Sequence, residues 1–201
     1  MVKAAILLFA TDKISLFLFR KTRSSSVPRE VFGNKPLPGT LVVDRYNAYN
    51  KVPCALQYCY SHLLREVEDI GKEFSEVDEV KTFAGVLAPL LATAMHLRSL
   101  LITDAQFYKQ AAEVKDQIIE VVHASAHHLA IRRIQEIFYD NADRMYRWAE
   151  DRRIPANNNL AERVLPAHGH CSQSQLRLSV RCLSPDPWHF DDHPPYPEKA
   201  D

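Results

Sequence analysis

The sequence predicts an α/β protein with a mixed sheet, a large all-helical block and an irregular C-terminal tail. Three observations carry this. Residues 1 to about 60 hold short strand-length apolar runs bounded by turn residues. Residues 61–153 contain a single proline, Pro89, and two glycines, Gly71 and Gly85, with apolar positions recurring every three or four residues. From Val164 onward the chain holds six of its twelve prolines, four of its nine histidines and two of its four cysteines.

The first run is Ala4-Ala5-Ile6-Leu7-Leu8-Phe9, and the second is Ile14 to Phe19. Thr11-Asp12-Lys13 between them reads as a turn. Ser24 to Phe32 reads as a short helix. Leu41-Val42-Val43, entered through Gly39 and ended by Asp44, reads as a third strand. The order β-β-α-β is an α/β signature with mixed pairing. In the helical block, Phe83, Val86, Leu87, Leu90, Leu91, Ala94, Leu97 and Leu101 form one stripe. Thr103 with Gln106 reads as a capping box that starts the next helix. Val114, Ile118, Val121 and Val122 form its stripe, and Ile131, Ile134, Phe138, Met145 and Trp148 form another. These stripes read as helix–helix core. The prolines at 185, 187, 194, 195 and 197 exclude a helix in the tail, and no period of 2 or 3.6 is sustained there. The expected divisions are 1–60, 61–153, 154–165 and a disordered 166–201.

Lys and Arg total 25, as do Asp and Glu, in 201 residues. Zero net charge excludes binding of nucleic acid by bulk basicity but not by a local patch. Four cysteines are too few for a disulfide scaffold, which points to a reduced, cytoplasmic setting. No apolar run reaches the roughly 18 residues of a membrane span, and no membrane partner is expected.

Two carboxylates stand out. Asp44 lies at a strand's carboxyl end, where α/β sites collect, although the residue could simply start a turn. Glu162 follows Pro155-Ala156-Asn157-Asn158-Asn159, and Asn159 with Glu162 also fits a structural capping box. Cys54, Cys59 and His62 have zinc-ligand chemistry but lack a fourth member. His127 and His128 are adjacent, so a helix points them apart. There is no phosphate-binding glycine loop, no Gly-x-Ser-x-Gly and no His-Glu-x-x-His.

Taken together, Leu-Val-Val-Asp44-Arg45-Tyr46-Asn47-Ala48-Tyr49-Asn50, then Tyr58-Cys59-Tyr60-Ser61-His62, a long helical stretch, and Ile-Pro-Ala-Asn-Asn-Asn-Leu-Ala-Glu162-Arg163 resemble the insertion sequence 66 family of DDE transposases. Phe17 to Ser24 adds to the resemblance, which runs from about Ala4 to Arg163. It implies a ribonuclease H-like core with a helical insertion between the second and third catalytic carboxylates. Asp44 matches the second Asp and Glu162 the Glu. Cys59 and His62 match a Cys-x-x-His that follows the second Asp, read here as a possible structural feature. The resemblance also implies Mg²⁺ or Mn²⁺ held by Asp44 and Glu162, with transposon-end and target DNA as partners. Arg45 and Arg163 are the candidate DNA contacts.

The chain departs from the family in three ways. The strand carrying the first catalytic Asp is expected to be missing. Asn157 stands where the family usually has Asp. After Arg163 the family's basic Leu-Arg-Pro-like segment gives way to the Pro/His/Cys-rich tail, which reads as a frameshift product. The expectation is therefore an inactive, truncated transposase. The alternative is a non-catalytic helical module that pairs with full-length transposase and inhibits it, or that self-associates.

Overall fold

The computed structural model describes residues 5–11, 13–159 and 179–183. It is mixed α/β and mostly helical. The sheet has five strands in the order β2-β1-β5-β3-β4.

Strands β1 (Ala5–Ala10) and β2 (Ser15–Arg20) form the expected antiparallel hairpin. Its turn is closed by Thr11, whose N–H donates to the Ile14 carbonyl at 2.7 Å and whose hydroxyl accepts from the Lys13 and Ile14 N–H groups. Helix α1 (Ser26–Phe32) carries Pro28 in its first turn, where no intrahelical donor is needed. It stops at Gly33, whose φ of 65° is open to glycine without strain. Phe32 meets Phe9 edge to face at 5.1 Å, which seats α1 on the sheet.

Strand β3 (Thr40–Val43) is buried at every position, as a strand covered on both faces should be. A turn of 3₁₀ helix, Asn47–Lys51, leads to β4 (Ala55–Tyr58), which runs parallel to β3 with Val43 opposite Tyr58. The sequence reading did not find β4, because four residues are too few to show a period.

The block after β4 is helical as expected: α2 (Tyr60–Glu73), α3 (Asp78–Leu97), α4 (Asp104–His123), α5 (Leu129–Asp140), α6 (Ala142–Met145) and α7 (Arg147–Glu150). The Thr103–Gln106 capping box is present in both directions. Two stripe positions fail. Leu101 lies beyond the end of α3 and is fully exposed, and Val86 faces outward. Pro89 sits inside α3 on its exposed side, where water can satisfy the carbonyl that loses its donor. Among the described residues, α3 alone is long and apolar enough to cross a membrane by length and composition. Its Val80, Leu87, Leu91 and Leu97 are buried in the core.

Glu79, in the first turn of α3, accepts from the N–H groups of His127 and His128 at 2.7 and 3.0 Å. These bonds, together with the His128 ring nitrogen that accepts from the Ala130 N–H at 3.3 Å, fix the start of α5.

One continuous core joins sheet and helices, from Leu7, Leu41 and Val43 through Tyr60 and Leu63 to Phe138 and Trp148. Gln57 ties the two halves. This buried side chain donates to the Met145 carbonyl at 3.1 Å and accepts from the Trp148 N–H at 3.1 Å.

The irregular-tail expectation is corrected at 179–183. These residues form β5 (Ser179–Leu183), parallel to β1 and antiparallel to β3. The pattern Ser-Val-Arg-Cys-Leu alternates polar and apolar over its first four residues, a strand period short enough to be lost among the prolines. The remainder of 166–201 lies outside the described residues.

Candidate active site at the carboxyl ends of β3 and β4

Parallel strands end side by side, so whatever follows β3 and β4 shares one edge of the sheet. Asp44 follows β3 and Cys59 follows β4, and the Cys59 N–H donates to the Val43 carbonyl at 2.8 Å. Asp44 is half-buried. Its Oδ1 accepts from the Tyr46 N–H at 3.2 Å, a local turn that holds the carboxylate at the strand end. The turn that the sequence offered for Asp44 is thus present.

The segment that leads into Glu162 is docked onto this same edge. The Tyr60 N–H, at the free N-terminus of α2, donates to the Ala156 carbonyl at 2.8 Å. The Cys59 thiol donates to Asn158 Oδ1 at 3.0 Å, and the Asn158 N–H returns to the sulfur at 3.4 Å. The Ser61 hydroxyl donates to Asn159 Oδ1 at 3.0 Å. Ile154, Ala156 and Asn158 are buried. Three consecutive residues, Cys59 to Ser61, thus grip three of the four residues from Ala156 to Asn159.

The Asn159 side-chain oxygen accepts from the Ser61 hydroxyl, and its N–H donates to Asn157 Oδ1 at 3.2 Å, an Asx turn at the end of the docked segment. Glu162 and Arg163, and with them the expected Asn159–Glu162 capping box, lie outside the described residues.

Cys59 has a definite part. Burial pushes its thiol up from the usual range, and a thiol that donates to Asn158 is protonated. Such a sulfur is neither a nucleophile nor a thiolate ligand. The zinc idea for Cys54, Cys59 and His62 is corrected on geometry. Cys54 and Cys59 flank the two ends of β4, about 16 Å apart at ~3.3 Å per residue. Among the described residues no group of three or more His, Cys, Asp or Glu could hold a metal ion. His62 is half-buried in the first turn of α2.

Arg45 is ion-paired with Glu66 on α2. Burial is the main influence on its guanidinium, pulling its pKa down. The pair fastens the end of β3 to α2, so the structure gives Arg45 an internal partner.

Tyr46 and Tyr49 wall the other side of Asp44, edge to face at 6.3 Å. Tyr49 is fully buried, and its hydroxyl has no hydrogen-bond partner among the described residues. Burial, and then the Asp44 charge, push its phenol up, so it stays protonated. Arg23, in the loop before α1, stacks over Tyr46 with its guanidinium carbon 5.2 Å from the ring centre. Sequence reasoning passed over Arg23, which meets Tyr46 only in the fold.

Comparison with known families now bears on this arrangement. Residues 3–167 match the model of the transposase IS66 family. The chain belongs to the IS66 transposase family. The matched span takes in the hairpin, both parallel strands, the helical block, the docked Asn157–Asn159 segment and Glu162, while β5 lies beyond it. No curated protein and no solved structure matches the chain. The IS66 assignment brings divalent-metal chemistry into view, while the described residues assemble no group of three or more possible ligands. Asp44 offers carboxylate oxygen, whereas the one sulfur present is protonated and internally bonded.

Proposed function

We propose that this chain is a DNA-processing protein of the DDE type with a ribonuclease H-like core, in which Asp44 and Glu162 are two metal-holding carboxylates. What carries the reading is the docking of Ala156–Asn159 onto Cys59–Ser61. It sets the run into Glu162 on the sheet edge that bears Asp44. Glu162 stands three positions after Asn159 in the sequence, directly following that clamp.

Mg²⁺ or Mn²⁺ at such carboxylates supplies stabilisation of the attacking and leaving oxygens of a phosphodiester. The chain's own residues position it. The β3 end fixes Asp44, and the Cys59–Asn158 bond fixes the approach of the second carboxylate. Arg163, adjacent to Glu162 in the sequence, is the proposed contact to DNA phosphate. DNA is the proposed partner and the cytoplasm the proposed setting.

Two carboxylates hold a metal pair less well than three. The 201-residue chain is therefore expected to bind duplex DNA at low salt but to leave supercoiled plasmid uncut in Mg²⁺. Magnesium-dependent nicking that disappears in Asp44→Asn would overturn the expected inactivity. Failure to retain DNA at low ionic strength would overturn the DNA reading altogether.

A second reading has one observation in its favour. An open apolar groove of about 660 Å³ lies between α3, α4 and α5, lined by Phe83, Val86, Leu90, Val121 and Ile131. It suits a non-catalytic module whose helical block pairs with a full-length transposase. Copurification with an intact transposase, lost on Val86→Asp, would favour it.

A further inference from the structure

The arginines near the sheet edge differ in what neutralises them. Arg20 is held by Glu30 through two hydrogen bonds of 3.0 and 2.8 Å, and Arg45 by Glu66. Arg23 has no ion-pair partner among the described residues. It is exposed, and its contact is the face of Tyr46, whose own N–H is bonded to Asp44. A guanidinium resting on a ring keeps its full charge and its fork of N–H donors, and the ring limits where it can point.

A carboxylate site repels the phosphodiester it must approach. An unneutralised, pre-oriented cation beside it offsets that repulsion, and guanidinium is the group best matched to phosphate geometry. We propose that Arg23, held by Tyr46, contacts a backbone phosphate of DNA lying across Asp44. This rests on the DNA reading above and adds a binding residue to it.

The test measures binding of a fluorescent 30-base-pair duplex to the full chain by anisotropy, between 50 and 200 mM salt. Arg23→Ala, Arg23→Lys and Arg29→Ala are compared with the wild type. Arg29 is an exposed arginine on α1 and serves as the charge control. Arg23→Ala is expected to weaken binding about three- to tenfold. It should also flatten the log–log salt slope by about 0.9, as loss of one phosphate contact requires. Arg23→Lys should keep the slope and recover part of the affinity, and Arg29→Ala should resemble the wild type. Thermal melting separates a folding defect, which leaves the slope of the folded fraction unchanged. An unaltered slope in Arg23→Ala, or an equal change in Arg29→Ala, overturns the assignment while leaving the DNA reading intact. Absence of binding by the wild type overturns both.

Discussion

Replacing Trp148 by alanine is expected to destabilise the protein by about 3–5 kcal/mol, the range for truncating a fully buried large aromatic side chain. Trp148 is 1% exposed and meets Tyr60 edge to face at 5.9 Å. Tyr60 in turn donates from its hydroxyl to the Met145 carbonyl at 2.7 Å and from its backbone to Ala156. The cavity would therefore open beside the clamp that holds the Glu162 segment. Trp148→Phe keeps most of the volume and should cost about half as much or less. Chemical denaturation followed by circular dichroism reads both. Equal, small losses would show that α7 is not packed into the core as described.

Ending the chain after residue 167 is the second change with a large expected effect. β5 pairs with β1 on one side and β3 on the other, and no other strand lies between those two. Removing it leaves two inner strands with unsatisfied backbone groups along facing edges. At about 1 kcal/mol net per backbone hydrogen bond, losing both ladders costs several kcal/mol. For a chain of this size that is a fall in melting temperature on the order of 10 °C. Newly bare edges also invite aggregation. Differential scanning calorimetry with light scattering would register both effects. A shortened chain that melts at the wild-type temperature and stays monomeric would mean that the sheet does not depend on β5.

Local signals in the sequence were read well. The β1–β2 hairpin, α1, β3 and the Thr103 cap each depend on residues within a few positions of one another. The helical stripes marked the core correctly at Leu87, Leu91, Ile118, Ile131, Phe138 and Trp148. They failed at Leu101, where the helix had already ended at Leu97, so periodicity no longer described direction. β4 escaped because four residues are too few to show a period, and β5 because its short alternation is surrounded by prolines and its partners β1 and β3 are distant in sequence. At the site, Asp44 could be picked out from its place at a strand end. The Cys59–Asn158 bond could not, since nothing local in either stretch announces the other. The sequence already allowed a structural Cys59, and burial against the Asn158 amide supplies the partner that no local pattern could name. Arg45 looked like an available cation until Glu66 was found opposite it.

The central claim is that Asp44 and Glu162 share one metal-holding edge. Mn²⁺ binding to the full chain, followed by electron paramagnetic resonance, tests it most directly, with Asp44→Asn, Glu162→Gln and the double variant alongside. Both carboxylates serving one site predicts that each single variant weakens binding about tenfold or more. It also predicts that the double variant is less than additive, because the two groups act on the same ion. Wild-type affinity in Glu162→Gln, with a loss confined to Asp44→Asn, would contradict the account by showing that the Asn157–Asn159 segment does not bring its carboxylate to Asp44.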